Sequence, residues 1–75
     1  MGFFIDNFKY KTTLIGNESI LIEGHRGITS FRDEEVIVRV RGGSVKINGR
    51  KLIVEEINGE EVLVKGSITT VEVQV

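Results

Sequence analysis

The single histidine of the chain, His25, stands beside Arg26 in the glycine-flanked stretch Gly24–Gly27. A histidine next to a cation could act in catalysis or bind an anion. Histidine catalysis normally needs a nucleophile or an orienting carboxylate, and none stands at a recognisable spacing here. The stretch also lacks the spacing of a phosphate-binding loop and is not followed by a helical pattern. We therefore interpret His25, Arg26 and Gly27 as a loop motif at a strand-to-strand corner, and we predict that His25 packs or hydrogen-bonds locally.

The acidic residues include three adjacent pairs, which is a poor arrangement for catalysis in an extended chain. Neighbouring residues of a strand point to opposite faces, so the two acids of a pair cannot cooperate on one substrate. The sequence contains no cysteine and one histidine, which argues against thiolate and typical zinc sites. We predict no catalytic residue, no metal and no cofactor, and we expect a protein that is not an enzyme. The pairs are Glu34-Glu35, Glu55-Glu56 and Glu60-Glu61.

A candidate basic face consists of Arg39, Arg41 and Lys46, to which the corner adds Arg26. This face supports an alternative function, a small β-barrel module that binds nucleic acid or an anionic ligand. The formal net charge is −1, whereas nucleic-acid modules usually carry a basic excess. Few aromatic residues outside the N-terminal segment are available to stack on bases. Both observations argue against nucleic acid as the partner.

The composition favours β-structure in a single domain of 75 residues. Isoleucine, valine and threonine make up about a third of the chain, and residues branched at Cβ favour strands. Alanine, the strongest helix former, is absent. No apolar run has the length of a membrane span, and the N-terminus lacks the basic and apolar regions of a signal peptide. We expect a protein that stays inside the cell that makes it.

Apolar residues alternate with polar ones along most of the chain, which indicates strands. Turn signals separate the alternating segments at roughly 8–10-residue spacing, which is typical of antiparallel sandwiches and barrels. We predict an all-β fold, a small antiparallel β-sandwich or partly open barrel built as a meander of about seven or eight short strands. Residues 12–75 form this domain, and the aromatic-rich residues 1–11 form a lead-in segment. The turn signals are Gly16-Asn17, Gly24–Gly27, Arg32–Glu34, Gly42-Gly43, Asn48-Gly49, Asn58-Gly59 and Gly66-Ser67.

Turn lengths can be tested against the faces on which they place apolar residues. A two-residue Gly42-Gly43 loop pairs Val38 with Ile47, and a two-residue Asn48-Gly49 loop carries the same apolar face onward to Leu52. The next loop, Asn58 to Glu60, and the Gly66-Ser67 pair complete the pattern. A three-residue Asn58–Glu60 loop places Val54 opposite Val64, whereas Gly66-Ser67 fits either a hairpin or a kink in one long strand. The predicted inward set is Val36, Val38, Val40, Val45, Ile47, Leu52, Val54, Val62 and Val64.

A second apolar set has the opposite parity in these strands and consists of Leu21, Ile37, Ile53 and Leu63. Isolated hydrophobic residues at a surface are normal, and some strands are buried on both faces. The alternative is an apolar stripe across adjacent strands, which would serve as an oligomer or partner surface. We take these four residues as the candidate interaction surface.

The whole pattern resembles the YabP/YqfC family of sporulation proteins from endospore-forming bacteria, over residues 12–73 or so. The resemblance implies a small antiparallel β-sandwich-like domain and a role in spore formation, without enzymatic activity. It also implies that His25 and Gly27 belong to the pattern of the family. The matching features are "LIGN" at 14–17, then Ile22, His25, Gly27 and Ile28, the "I-x-G" ending at Gly49, Leu52–Val54, and Gly66–Glu72.

The leading hypothesis is therefore a structural or assembly protein of the spore envelope. It would act in the mother cell or at the developing spore envelope through β-surface contacts with protein partners, including further copies of itself.

Overall fold

Six strands form one antiparallel sheet in the computed structural model, which describes residues 10–74. Their order across the sheet is β1-β2-β6-β5-β4-β3. The prediction of an all-β antiparallel fold is confirmed, with six strands instead of seven or eight. The strands are β1 (Lys11–Ile15), β2 (Ser19–Glu23), β3 (Ile28–Arg32), β4 (Glu35–Val40), β5 (Gly43–Ile57) and β6 (Glu61–Gln74).

The two longest strands, β5 with 15 residues and β6 with 14, bend sharply. An antiparallel strand rises about 3.4 Å per residue, so a straight β5 would span roughly 50 Å. The longest dimension of the molecule is only 31 Å. The bend lies where the β5–β6 register is irregular, between Asn48 and Ile53, and at Gly66, whose φ is 140°.

Glycines allow the two backbones to approach closely at the bend. A Cβ atom on Gly49 would overlap the carbonyl oxygen of Ser67, and one on Gly66 would lie 2.7 Å from the carbonyl oxygen of Lys51. Lys51 itself has a φ of 53°, a left-handed conformation that is costly for a residue with a side chain. Two glycines therefore provide the space for the bend, while Lys51 adopts a costly backbone conformation in it.

The bend divides the sheet into two layers, and side chains of both layers belong to one core cluster. Layer 1 consists of β3, β4 and residues 43–48 and 69–74, and layer 2 consists of β1, β2 and residues 53–57 and 61–65. Residues 10–74 include no further element that could cover the sheet, so the inner faces of the layers bury each other. The core cluster is Ile20, Ile22, Val36, Val38, Val40, Val45, Ile47, Leu52, Val62, Val64 and Ile68, with Tyr10, Ile28 and Val54 packed against it.

The predicted inward set is buried except for Val54, which is half-buried. The turn between β4 and β5 lies at Arg41-Gly42 instead of Gly42-Gly43, and Val38 pairs with Val45 instead of Ile47. Because the pairing is displaced by two residues, and side chains alternate with a period of two, the predicted face stays correct.

The predicted hairpin at Asn48-Gly49 is wrong, because β5 continues through both residues. Ile47 and Leu52 are both buried although five positions separate them. The register irregularity between Arg50 and Ile53 accounts for this change of parity within one strand. A bulge in β5 therefore produces the change of parity between Ile47 and Leu52 that the sequence predicts from a two-residue turn.

The loop after β5 was predicted correctly, since Val54 pairs with Val64. The Asn58 side-chain oxygen accepts hydrogen bonds from the backbone N–H groups of Glu60 and Glu61, both at 2.8 Å, and so fixes this loop. Of the two interpretations of Gly66-Ser67, the kink is correct and the hairpin is wrong, because β6 runs through both residues.

The meander is interrupted once. Strands β3 to β6 follow one another across the sheet, but β2 lies beside β6, so Gly24–Gly27 crosses from layer 2 to layer 1. Strand β1 begins at Lys11, inside the predicted lead-in segment. Residues 1–9 of that segment, with Phe3, Phe4 and Phe8, lie outside the described residues, whereas Tyr10 packs against the core.

Candidate functional site

The outer face of layer 2 carries three of the four predicted interaction residues. Leu21 of β2 lies directly opposite Leu63 of β6, and Ile53 of β5 lies opposite Lys65 of β6. The residues on either side of Leu21 and Leu63 are buried in the core, so these two side chains point outward. Leu21 and Leu63 are half-buried, and Ile53 is 52% exposed. Cross-strand pairing thus brings these apolar side chains together.

Ile15 extends this apolar surface onto the edge strand. It pairs with Ser19, which places it diagonally next to Leu21 on the outer face, and it is 56% exposed. Sequence reasoning missed Ile15, because the turn signal Gly16-Asn17 has two residues, whereas the turn in the structure has three and so sets the register of Ile15 with Ser19 and its face. We call Ile15, Leu21, Ile53 and Leu63 the outer patch.

An ion pair borders the outer patch. The Lys65 ammonium lies 2.9 Å from the Glu55 carboxylate, and the two side chains are 48% and 43% exposed. The hydrogen bond to Glu55, together with its charge, raises the pKa of Lys65 above the ordinary lysine value. At this exposure the pair contributes little to stability. Its effect is to hold a charged border beside an apolar surface, which is a common arrangement at protein contacts.

A shallow groove of about 490 Å³ adjoins the outer patch at the bend of β6. The groove is open and lined by polar side chains and backbone. Its one cationic group, Lys65, is already paired with Glu55, so the groove has no unpaired positive charge to offer an anion. The lining residues are Asn17, Glu18, Ser19, Lys65, Gly66 and Ser67.

The fourth predicted interaction residue, Ile37, does not join the outer patch. It lies on the outer face of layer 1, between Ser30 of β3 and Lys46 of β5. Leu63 is opposite Glu56, ten positions along β5 from Lys46 and beyond the bend. The stripe predicted to run across four strands is therefore split, because β5 turns from one layer into the other between them.

The corner around His25 is built by backbone hydrogen bonds on both of its sides. The N–H of Gly24 donates to the carbonyl of Glu60 at 2.6 Å, which ties the corner to the β5–β6 loop. The N–H of Arg26 donates to the carbonyl of Arg39 at 2.7 Å, and the N–H of Arg39 donates to the carbonyl of Gly27 at 2.8 Å. Positive φ values of 86° at Gly24 and 119° at Gly27 let the chain turn between these attachments.

The side chain of His25 completes the corner with both ring nitrogens. Nδ1 accepts a hydrogen bond from the N–H of Gly27 at 2.9 Å, so the proton of the neutral ring is on Nε2. Nε2 donates it to the carbonyl of Asn58 at 2.7 Å. The expected local hydrogen bonding of His25 is present. Both ring nitrogens are therefore hydrogen-bonded to backbone groups, and the ring links the crossover segment Gly24–Gly27 to the β5–β6 loop.

The predicted basic face is divided by acidic residues. Lys46 lies opposite Glu72 and forms an ion pair with Glu35 at 3.1 Å. Arg39 is opposite Ser44. Arg26 and Arg39 are joined by their backbone bond, and both are exposed, as is Arg41 in the adjacent turn. The structure thus brings the arginines near one another and leaves Lys46 among carboxylates.

Clusters of metal-binding side chains and membrane-spanning helices are both absent from the part of the chain that the structure describes. No group of three histidine, aspartate or glutamate side chains is placed to hold a metal ion. No helix of residues 10–74 is long and apolar enough to cross a membrane.

Comparison with known proteins assigns the family. The model of the YabP family matches residues 6–74, which is nearly the whole chain. The chain belongs to the YabP family. The match includes the His25 corner, the bend and all of the outer patch, so each feature described above falls within the YabP region.

A relative from Bacillus subtilis (strain 168), described as "Uncharacterized protein YqfC", is 34% identical over 61 residues. The alignment covers 81% of this chain and 66% of the relative, slightly less than two thirds of its length. No solved structure is significantly similar to this chain.

Proposed function

We propose that this YabP-family chain is a non-enzymatic structural protein that takes part in spore assembly through protein contacts at its outer patch. The resemblance to sporulation proteins, carried by the family motifs, supports the biological process. The contact surface is supported by one structural observation, which is the cluster of apolar side chains that forms the outer patch. In the same proposal the protein acts in the mother cell or at the developing spore envelope.

The outer patch is the observation that carries the proposal. In a sheet with one face in water, the positions on that face normally carry polar side chains. Here Leu21 and Leu63 are directly opposed and Ile15 and Ile53 are more than half exposed. Burying such side chains against a partner contributes about 25 cal/mol per Å² of apolar surface removed from water. The arrangement suits a contact surface better than it suits a surface that stays in water.

The state of His25 supports a non-enzymatic role. A general base must have a nitrogen lone pair within reach of a substrate proton. Nδ1 of His25 is occupied by the N–H of Gly27, and Nε2 is used in the bond to the carbonyl of Asn58. The adjacent acids Glu60, in the β5–β6 loop, and Glu61, at the start of β6, donate their backbone N–H groups to the side-chain oxygen of Asn58.

The proposal is tested by deleting the gene in its host and counting heat-resistant spores. We expect a lower count, restored by a wild-type copy, and a tagged protein found in the mother cell or at the spore envelope. An unchanged spore count in the deletion strain would contradict the role in spore assembly.

A second candidate function rests on the proximity of Arg26, Arg39 and Arg41, which would bind nucleic acid or an anionic ligand. The backbone bond between Arg26 and Arg39 favours it. The carboxylates of Glu35 and Glu72 beside Lys46 limit the extent of this surface. It predicts binding of a fluorescent oligonucleotide that weakens with salt. No binding at low salt would remove this candidate.

A further inference from the structure

Among residues 10–74, strand β1 is an edge of the sheet, and these described residues do not protect it against pairing in the usual ways. All five of its residues are exposed, and it carries one charged side chain, Lys11. Its pairing with β2 is regular from Lys11 to Ile15, without a bulge. The other edge strand, β3, has a register shift between Ile28 and Ser30, which disturbs the edge. Natural proteins block edges with charges, prolines and bulges, and β1 has little of this.

The free backbone groups of β1 can be assigned to particular residues. The N–H of Glu18 donates to the carbonyl of Ile15, so the backbone groups of Ile15 face β2. The carbonyl of Glu18 accepts from Gly66 of β6, which agrees with Ser19 facing β1. Because these directions alternate along an antiparallel strand, the N–H and C=O groups of Thr12 and Leu14 point out of the free edge.

We propose that β1 pairs antiparallel with β1 of a second copy of this chain, about a two-fold axis at Thr13. Thr12 then lies opposite Leu14 of the partner subunit, and the outward groups of this pair exchange N–H···O bonds in both directions. The two sheets become one continuous sheet. This inference deepens the proposed function, since it names the partner as a second copy.

The charges and faces fit this two-fold pairing. Lys11 lies opposite Ile15 of the partner subunit, so the two lysines stay about 14 Å apart along the paired strands. Thr13, which lies beside Leu21 on the outer face, meets Thr13 of the partner subunit. The pairing therefore joins two outer patches into one surface across the axis. Leu14, which is 54% exposed and lies opposite the buried Ile20, gains a neighbouring strand on its free side.

The strength of this contact can be bounded. A single five-residue strand pair buries far less than the roughly 800 Å² per partner of a standard stable interface. We therefore expect association that rises with concentration, as suits a protein that accumulates in an assembly, and not a permanent dimer.

Cysteine crosslinking tests the pairing and its register, because the chain contains no cysteine of its own. In the proposed register the Cα atoms of Thr13 in the two copies lie about 4.5 Å apart, within disulfide reach. Thr13→Cys should therefore form a disulfide-linked dimer on mild oxidation. Lys11→Cys is the matched control, since it is exposed, on the same strand and on the same face, yet about 14 Å from its counterpart. We expect crosslinking of Thr13→Cys to be at least ~10-fold faster.

Equal rates for the two variants, or no dimer from Thr13→Cys, would overturn the proposal. The latter result is expected if residues 1–9 of the same chain cover the edge. Failure here leaves the proposed function standing, because the spore count of the deletion strain does not depend on this pairing.

A second pair of variants checks the backbone bonds. Thr12→Pro removes a backbone N–H that points out of the edge, whereas Thr12→Val keeps this N–H and has a side chain of similar shape. Sedimentation across a concentration series should show at least ~10-fold weaker association for Thr12→Pro and unchanged association for Thr12→Val. Wild-type association of a folded Thr12→Pro protein would contradict the pairing. If circular dichroism shows that Thr12→Pro is unfolded, the crosslinking result decides.

Discussion

Replacing Gly49 with alanine should strongly destabilise the fold, because β5 and β6 leave no room for a side chain at the bend. The added Cβ atom would overlap the Ser67 carbonyl oxygen and lie 3.0 Å from the carbonyl carbon and 3.1 Å from Cα of Ile68. All of these atoms are backbone, so no side-chain rotation can relieve the overlap. Gly49 does not have a positive φ, so its backbone conformation does not disfavour alanine. The substitution therefore tests only the close approach of the β5 and β6 backbones.

The expected loss of stability depends on how far the β5 and β6 backbones must separate to make room for the new side chain. Overpacking typically costs 1–3 kcal/mol, and we expect about 3 kcal/mol here because the backbones themselves must separate. The N–H of Gly49 also donates to the carbonyl of Glu34 at 3.1 Å, and this bond is strained by the same movement. A domain of this size has roughly 4–11 kcal/mol of total stability, so the loss is a large fraction. The melting temperature should fall by at least ~12 °C.

Urea denaturation of Gly49→Ala measures this loss, and Gly59→Ala is its control. Gly59 lies in the exposed loop after β5, and nothing lies within 4 Å of an added Cβ atom there. The control should change the free energy of unfolding by less than ~1 kcal/mol and can be slightly stabilising. A Gly49→Ala protein within ~1 kcal/mol of wild type would refute the account of the bend.

Three smaller predictions concern the corner and the border of the outer patch. His25→Ala should lower the free energy of unfolding by roughly 1–3 kcal/mol in urea denaturation, since two hydrogen bonds are lost. The control Arg26→Ala changes an exposed side chain, and its free energy of unfolding should stay within ~0.5 kcal/mol of wild type. Equal effects of the two substitutions would contradict the stabilising role of the His25 hydrogen bonds. Asn58→Ala should lose about 1–2 kcal/mol by the same measurement, and Asn58→Asp, which keeps an acceptor, should lose less; the reverse order would contradict the loop geometry. The pKa of Lys65 is raised by Glu55, so the stabilisation from this pair is present below the ordinary lysine pKa and is lost as the pH rises through the raised value. Glu55→Gln should lower the pKa of Lys65 in an NMR titration, and an unchanged titration would show that the ion pair does not form in solution.

The faces of the strands were predictable because side-chain alternation is a local property. Val38 and Val45 are inward whether the β4–β5 turn is placed correctly or displaced by one residue, since the pairing moves by two positions. The Asn58 loop was also predictable, because only one loop length kept Val54 and Val64 on the same face.

The bend was not predictable from turn chemistry. Asn-Gly is a strong signal for a two-residue hairpin, yet Gly49 is needed because Ser67, far along the chain, approaches its backbone. A glycine that provides space and a glycine that provides a turn look the same in a sequence. The parity change between Ile47 and Leu52 fits a hairpin and a bulge equally well.

The candidate site was predictable in part for the same reason. Alternation gives Leu21, Ile53 and Leu63 the parity opposite to the inward set, and pairing of β2 with β6 brings the two leucines together. That pairing joins strands distant in the chain, so no local pattern reveals it. Alternation also groups Ile37 with them, because no local pattern reveals the bend that separates the two layers.

The most direct test of the proposed function compares charges placed on and away from the outer patch. In the deletion strain, a gene carrying Ile15→Asp and Ile53→Asp should fail to restore heat-resistant spores, because both exposed side chains would lose their apolar contact. The control carries Thr69→Asp and Gln74→Asp, which add the same charge at exposed positions of β6 in layer 1, and it should restore them. Circular dichroism of both purified proteins shows that the fold is kept. Full restoration by the outer-patch variant would contradict the claim that this surface carries the function.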